Sequence, residues 1–350
     1  MFKDQKQEVS EGSSAIQAGG NVTVTHNGLT YSEVRAVALD VFKANFLDLS
    51  GRASETAKAR GAEVTDKFLQ KLERENKAGL ENANDPDFQY ALYTVQKEYA
   101  RTGDVDLGDL LVDLLVDRSK HQQRDILQIV LNESLNTAPK LTDAQLASLA
   151  VIFLFRYTEH YGVGNHEQLG SYFDRHVKPF IGKVQKNDAS YQHLQFSGCA
   201  VSSLGRTELE HIFAQVYLGQ FLKGFDKSEV SAKEISIGLD SRFFMPCLND
   251  STRYQVRANN PRLLEKYLDG QGVTSADRTK ILELFSVNAM SQPEIKAKCI
   301  EVRPYMAELF DVWATSPLGS TTLTSVGIAI GHANVQRFVG KFADLSIWIN

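Results

Sequence analysis

A chain of 350 residues is long enough for two domains with real cores. With 43% hydrophobic and 23% charged residues it has the composition of an ordinary globular protein, not of a disordered or fibrous one. A formal net charge of -5 gives no global attraction toward nucleic acid or anionic membrane, so a nucleic-acid partner is not expected. The polar start, MFKDQKQEVSEGSS, is unlike a signal peptide, and the longest apolar run, Leu149 to Phe155, is far too short for a membrane span. Three separated cysteines, Cys199, Cys247 and Cys299, form no CxxC pair and fit free thiols in a cytoplasmic protein.

Residues 1–28 carry a strand-like alternation, with Ile16, Ala18, Val22 and Val24 on one parity and Gly19-Gly20 between them. One short hairpin is marginally stable in water, so this arm is expected to need a partner surface. A long helix should occupy residues 29–80. Thr30 and Glu33 have capping-box spacing, and Val34, Ala38, Val41, Phe42, Phe46 and Leu49 recur at helical intervals. Its middle, Gly51 to Glu63, is polar, and the apolar pattern resumes at Val64, Phe68, Leu69 and Leu72. A helix of this length usually leans on another helix, here a second copy of itself. The expected self-association surface is therefore Ile16, Val22 and Val24 of the arm with Val34, Val41, Phe42 and Phe46 of the helix.

Residues 81–225 read as a helical body. Asp85-Pro86 opens one helix and Thr142 with Gln145 opens another, strongly apolar through Phe155. Thr207 with Glu210 marks a third start. Residues 226–350 read as a mixed α/β part: strands within Glu234 to Leu248 and Thr252 to Ala258, a helix after Asn260-Pro261, and helical segments at Ile281 to Ala289 and Pro293 to Trp313. The end predicts a short strand, a helix starting near Thr324, a winged-helix-like order, and a terminal strand in ADLSIWIN. The fold class is thus mainly α, with an N-terminal hairpin arm and a mixed C-terminal part.

Signatures of phosphate, dinucleotide and serine-hydrolase chemistry are absent: no GxxxxGK[ST], GxGxxG or GxSxG occurs. His160, His166 and His176, with Glu159, Glu167 and Asp174, are the residues that could share a metal; surface or loop histidines are the plainer reading, and no metal or cofactor is expected. Cys199, between His193 and His211, would need a nearby base to become a nucleophile, and otherwise is a small buried hydrophobe. Asp106, Asp109, Asp113 and Asp117 share a helical stripe, which reads as a solvated face opposite Leu107, Leu110, Leu111 and Leu114.

The run from Ile16 to Phe46 (IQAGGNVTV, then GLTYSEVRAVALDVFKANF) resembles the start of a family of uncharacterised bacterial proteins, and Leu323 to Asn350 resembles its end. That resemblance brings no catalytic residue. Similar arms precede varied modules in bacterial defence and stress proteins, which implies a scaffold or sensor that assembles with itself and meets partner proteins. The alternatives are a metal- or thiol-dependent hydrolase or nuclease using the His160–His176 region or Cys199, and a nucleic-acid-binding regulator acting through the C-terminal segment.

Overall fold

Residues 31–77, 79, 85–121 and 123–350 are described by the computed structural model, with side chains from residue 51 onward, Ser54 excepted. The expected arm, with Ile16, Val22 and Val24, lies outside the described residues, as do the side chains of Val34, Val41, Phe42 and Phe46. Contacts divide the chain into two units, Met1–Thr56 and Ala57–Asn350. The described residues hold fourteen α-helices and two small antiparallel sheets, so the chain is mainly α with a mixed C-terminal part. No described helix is long and apolar enough to cross a membrane.

The first helix, α1, is continuous from Tyr31 to Glu75, through both Gly51 and Gly61. Within the larger unit its apolar positions Val64, Phe68 and Leu72 are buried, one helical turn apart. They meet α2 (Pro86–Thr102), where the Phe68 and Phe88 rings lie 6.0 Å apart. Polar ties fix the antiparallel pairing: Gln96 Nε2 donates to Thr65 Oγ1 at 2.8 Å, and Tyr99 donates its hydroxyl to Glu63 at 2.8 Å. Asp85 caps α2 ahead of Pro86, as its sequence predicts. Next come α3 (Val105–Arg118), capped by Asp104, and α4 (Ile126–Thr137), capped by Asp125.

The centre of the large core is α5 (Asp143–Tyr157), entered through the predicted Thr142/Gln145 capping box and buried on every face from Ala144 to Phe155. Helices α6 (His166–Tyr172), α7 (Asp188–Phe196) and α8 (Leu209–Val216) surround it, with strand β1 (Ala200–Ser202) between the last two. A second, smaller core then forms around Leu222, Phe225, Phe243, Phe244, Leu264 and Phe285. It is built from α9 (Lys227–Ala232), the hairpin of β2 (Phe244–Pro246) and β3 (Tyr254–Val256), α10 (Pro261–Asp269) and α11 (Ser275–Ser286). In the hairpin Phe244 faces Val256 and Pro246 faces Tyr254. The extended run expected from Glu234 shrinks to β2. Glu234 and Gly238 take positive φ, and Asp277 accepts from the Ser236 N–H at 3.0 Å, so side-chain bonding to the backbone favours turns over a ladder.

The chain then returns to the large core as α12 (Gln292–Val302) and α13 (Met306–Thr315). The single helix expected over Pro293 to Trp313 is split because Pro304 holds Arg303 extended, at φ -146° and ψ 110°. Strand β4 (Thr321–Leu323) pairs antiparallel with β1, Ala200 facing Leu323. Last comes α14 (Ser325–Val339), capped by Thr324 where the sequence predicts its start. The ADLSIWIN segment is no strand. Asp344 accepts from the Ser346 N–H at 2.9 Å and curls it into a 3₁₀ turn over Leu345–Ile347. That turn places Trp348 edge-on to Phe153 at 4.9 Å, with its indole N–H donating to the Tyr157 carbonyl at 2.7 Å.

Helix α14 lies close on α5 and on Cys199, just ahead of β1, because it presents glycine at both contacts. A Cβ on Gly331 would stand 2.9 Å from the Leu149 carbonyl oxygen, and one on Gly327 only 1.9 Å from that of Cys199. Gly61, on α1, has nothing within 4 Å of such a Cβ. Gly327→Ala is therefore expected to lower stability by about 2 kcal/mol, overpacking of up to about 3 outweighing a helix-propensity gain of about 1. Gly61→Ala should raise it by about 0.5–1 kcal/mol. Urea unfolding of the two variants measures both; a Gly327→Ala protein as stable as the parent would contradict the packing described.

Candidate functional site

The aspartates of α3 recur as Asp106, Asp109, Asp113 and Asp117, a spacing that keeps them near one side of a helix. Their side faces the lysines of α1. Lys67 reaches Asp109 at 3.1 Å, and Lys71 pairs with Asp113 one turn further along both helices. Asn76 continues the register by donating to Ser119 at 2.9 Å. The constant offset between partners makes α1 and α3 run parallel. The solvated-face reading holds for Asp106, which is exposed, and is corrected for Asp113 and Asp117, which are only 2% and 5% exposed.

Helix α14 closes the third side. Arg337 reaches Asp106 at 3.1 Å, and His332, 1% exposed, stands over Asp117. Between these helices and the C-terminal turn is a cavity of about 1030 Å³. Six Lys or Arg and five Asp or Glu side chains line it, so opposite charges nearly balance. That size is at the upper end of the range for small-molecule sites, about 300–1,000 Å³.

Part of the lining is incompletely bonded. Asp117 Oδ1 accepts from Lys120 at 2.6 Å and Asp113 Oδ1 from Lys71, while the Oδ2 atom of each is buried with no protein partner. His332 Nε2 lies 2.7 Å from the Ala343 carbonyl oxygen and must donate to it. Burial holds the imidazole below its ordinary pKa, against an opposing pull from Asp117, so the ring is neutral and Nδ1 carries a lone pair. That Nδ1 has no partner and faces Asp117 Oδ2 at 3.9 Å, too long for a hydrogen bond. Burial also lowers Lys71. Three buried acceptors without donors among the described residues, each costing about 1–3 kcal/mol, belong to residues that line one cavity. This is the arrangement in the described residues that most resembles a binding site.

Of the histidines singled out by sequence, two are brought together and one is not. His160 and His176 stack edge-on with ring centroids 4.9 Å apart, beside Tyr172 and Tyr217. A π-helical turn, Phe173–Val177, carries His176 inward. His166 instead bonds the Gln220 carbonyl at 2.9 Å. Glu159 is held by Arg262 and Asn260, each at 2.6 Å, and Asp174 by Arg303 and Tyr305. Among the described residues no group of three or more His, Cys, Asp or Glu could hold a metal ion. Cys199 is buried in the large core, and burial pushes its thiol up to about 12, the reverse of what a nucleophile needs. His193 engages Gln145 at 2.9 Å.

A family model of uncharacterised function matches residues 28–349. None of the curated proteins and none of the solved structures compared with the chain matches it.

Burial, followed by the neighbouring His160 and Arg175, pushes His176 down to about 4. An imidazole more acidic in the native state than its unfolded value of about 6.5 favours the fold while neutral. Its contribution should be complete above about pH 6.5 and be lost as pH falls toward 4. The urea midpoint measured between pH 7 and pH 4.5 is expected to fall less steeply for His176→Phe than for the parent. Identical slopes would mean that His176 is not buried neutral.

Proposed function

We propose a self-associating, non-catalytic role for this chain, which belongs to the uncharacterised family matched over residues 28–349. It acts as a scaffold or sensor whose arm and α1 join it to further copies of itself, in the setting of bacterial defence or stress that the resemblance of its termini implies. The observation that carries this reading is the division of labour along α1. Its last third supplies Val64, Phe68 and Leu72 to the core, and before them Gly51, Arg52, Ala53, Glu55, Thr56, Lys58 and Ala59 are exposed. Still earlier the helix carries an apolar repeat at Val34, Val41, Phe42 and Phe46. Helices draw most of their stability from packing an amphipathic face, so a repeat of this kind calls for a cover, and a second α1 offers the same face in return.

A catalytic reading has less behind it. Cys199 is protected as a thiol, and the partners of Glu159, His166 and Asp174 are structural. For a nucleic-acid role, the acidic balance of the chain supplies no counter-charge.

Light scattering of the full chain at micromolar concentration tests the proposal. The parent is expected above the monomer mass. Val41→Glu with Phe42→Glu should weaken association at least tenfold, and removal of residues 1–28 should lower the copy number. A parent that stays monomeric at 100 μM would end the proposal.

A further inference from the structure

The cavity between α1, α3 and α14 has an address that is independent of self-association. Three of its lining residues carry a buried acceptor, Asp113 Oδ2, Asp117 Oδ2 and His332 Nδ1, all on side chains more than nine-tenths buried and all without a donor among the described residues. Both carboxylates already hold one lysine through their other oxygen, so these atoms lack donors more than positive charge, while Arg337 Nε of the same lining is a buried donor without an acceptor among the described residues. At the mouth the balance is reversed. Arg74 is 70% exposed, with the adjacent Glu75 as its one ion-pair partner among the described residues, and Lys341, also in the lining, is exposed.

We infer that this cavity binds a small zwitterion, with a primary ammonium directed at Asp113, Asp117 and His332 and an anionic group directed at Arg74 and Lys341. A primary ammonium has three N–H donors and no acceptor, one donor for each bare atom. Two acceptors 3.9 Å apart can both be reached from one nitrogen at ordinary hydrogen-bond lengths. The anionic end follows from the charge count. Six basic against five acidic side chains leave the lining one positive charge in excess, and a bare amine would add to it, whereas a zwitterion adds none. The anion is a carboxylate or a phosphate, since Arg and Lys bind both.

Calorimetric titration of the full chain at pH 7.5 tests this with four probes: 5-aminovalerate, O-phosphoethanolamine, ethylamine and inorganic phosphate. One zwitterion at least should bind tenfold or more tighter than both single-charge probes, and whichever is tighter identifies the anion. Asp117→Asn should weaken that zwitterion about 10- to 100-fold, the loss of one charge-assisted bond. Arg74→Ala, at an exposed position where the fold is not at stake, should bring the zwitterion down to the affinity of ethylamine and leave ethylamine itself unchanged. No heat from either zwitterion at 10 mM, inorganic phosphate binding as well as the zwitterions, or full affinity in Arg74→Ala would each overturn the inference. Because the titration is read on monomer and assembly alike, its failure leaves the self-association proposal standing.

Discussion

Two carboxylates buried at the meeting of three helices set the character of this molecule. Asp113 and Asp117 sit one turn apart on α3, and each gives a single oxygen to a lysine. Taking an ionised carboxylate out of water is tolerated only when it is paired and hydrogen-bonded, so the lysines are a condition of the fold. Lys71 arrives from α1, which ties the last third of the long helix to the body, and Lys120 follows from the end of α3 itself. The remaining oxygens are buried without a donor among the described residues. They lie where α14, pressed on α5 through Gly331, brings His332 to the same wall.

On these two proposals α1 serves both ligand binding and self-association. The ladder of Lys67 and Lys71 on Asp109 and Asp113 holds one end of α1, and the apolar repeat ahead of Gly51 occupies the other. A ligand that completed the Asp113–Asp117–His332 wall would add bonds to a surface that α1 helps to form. Were such a ligand to change association, association would change its affinity by the same factor.

Local rules were legible in the residues and tertiary ones were not. Asp85 before Pro86, Thr142 with Gln145, Asn260 before Pro261 and Thr324 before Gly327 each mark a helix start that the structure has, because a cap depends on three or four neighbouring residues. Thr207 with Glu210 came close but misses: Glu208 takes the cap, while the Thr207 carbonyl accepts the Trp313 indole N–H. The terminal ADLSIWIN reads as a strand by its apolar character, yet the two bonds from Ser346 to Asp344 outweigh it. The cavity shows only a trace in the sequence. Four aspartates at helical spacing look like a wet face until one knows that Lys67, Lys71 and His332, respectively about 40 residues before and more than 200 after, converge on them. Cys199 was readable as a buried hydrophobe from its type alone.

The protonation state of one ring tests the central claim most directly. The cavity wall has a bare acceptor at His332 only if that imidazole is neutral, with its proton on Nε2 toward the Ala343 carbonyl. Nitrogen-15 NMR of the full chain at pH 7, with the signals assigned by their loss in His332→Gln, reads both ring nitrogens separately. A protonated Nε2 beside an unprotonated Nδ1 is the result expected. An imidazolium, protonated at both nitrogens and donating to Asp117, would fill the wall from within and contradict the account.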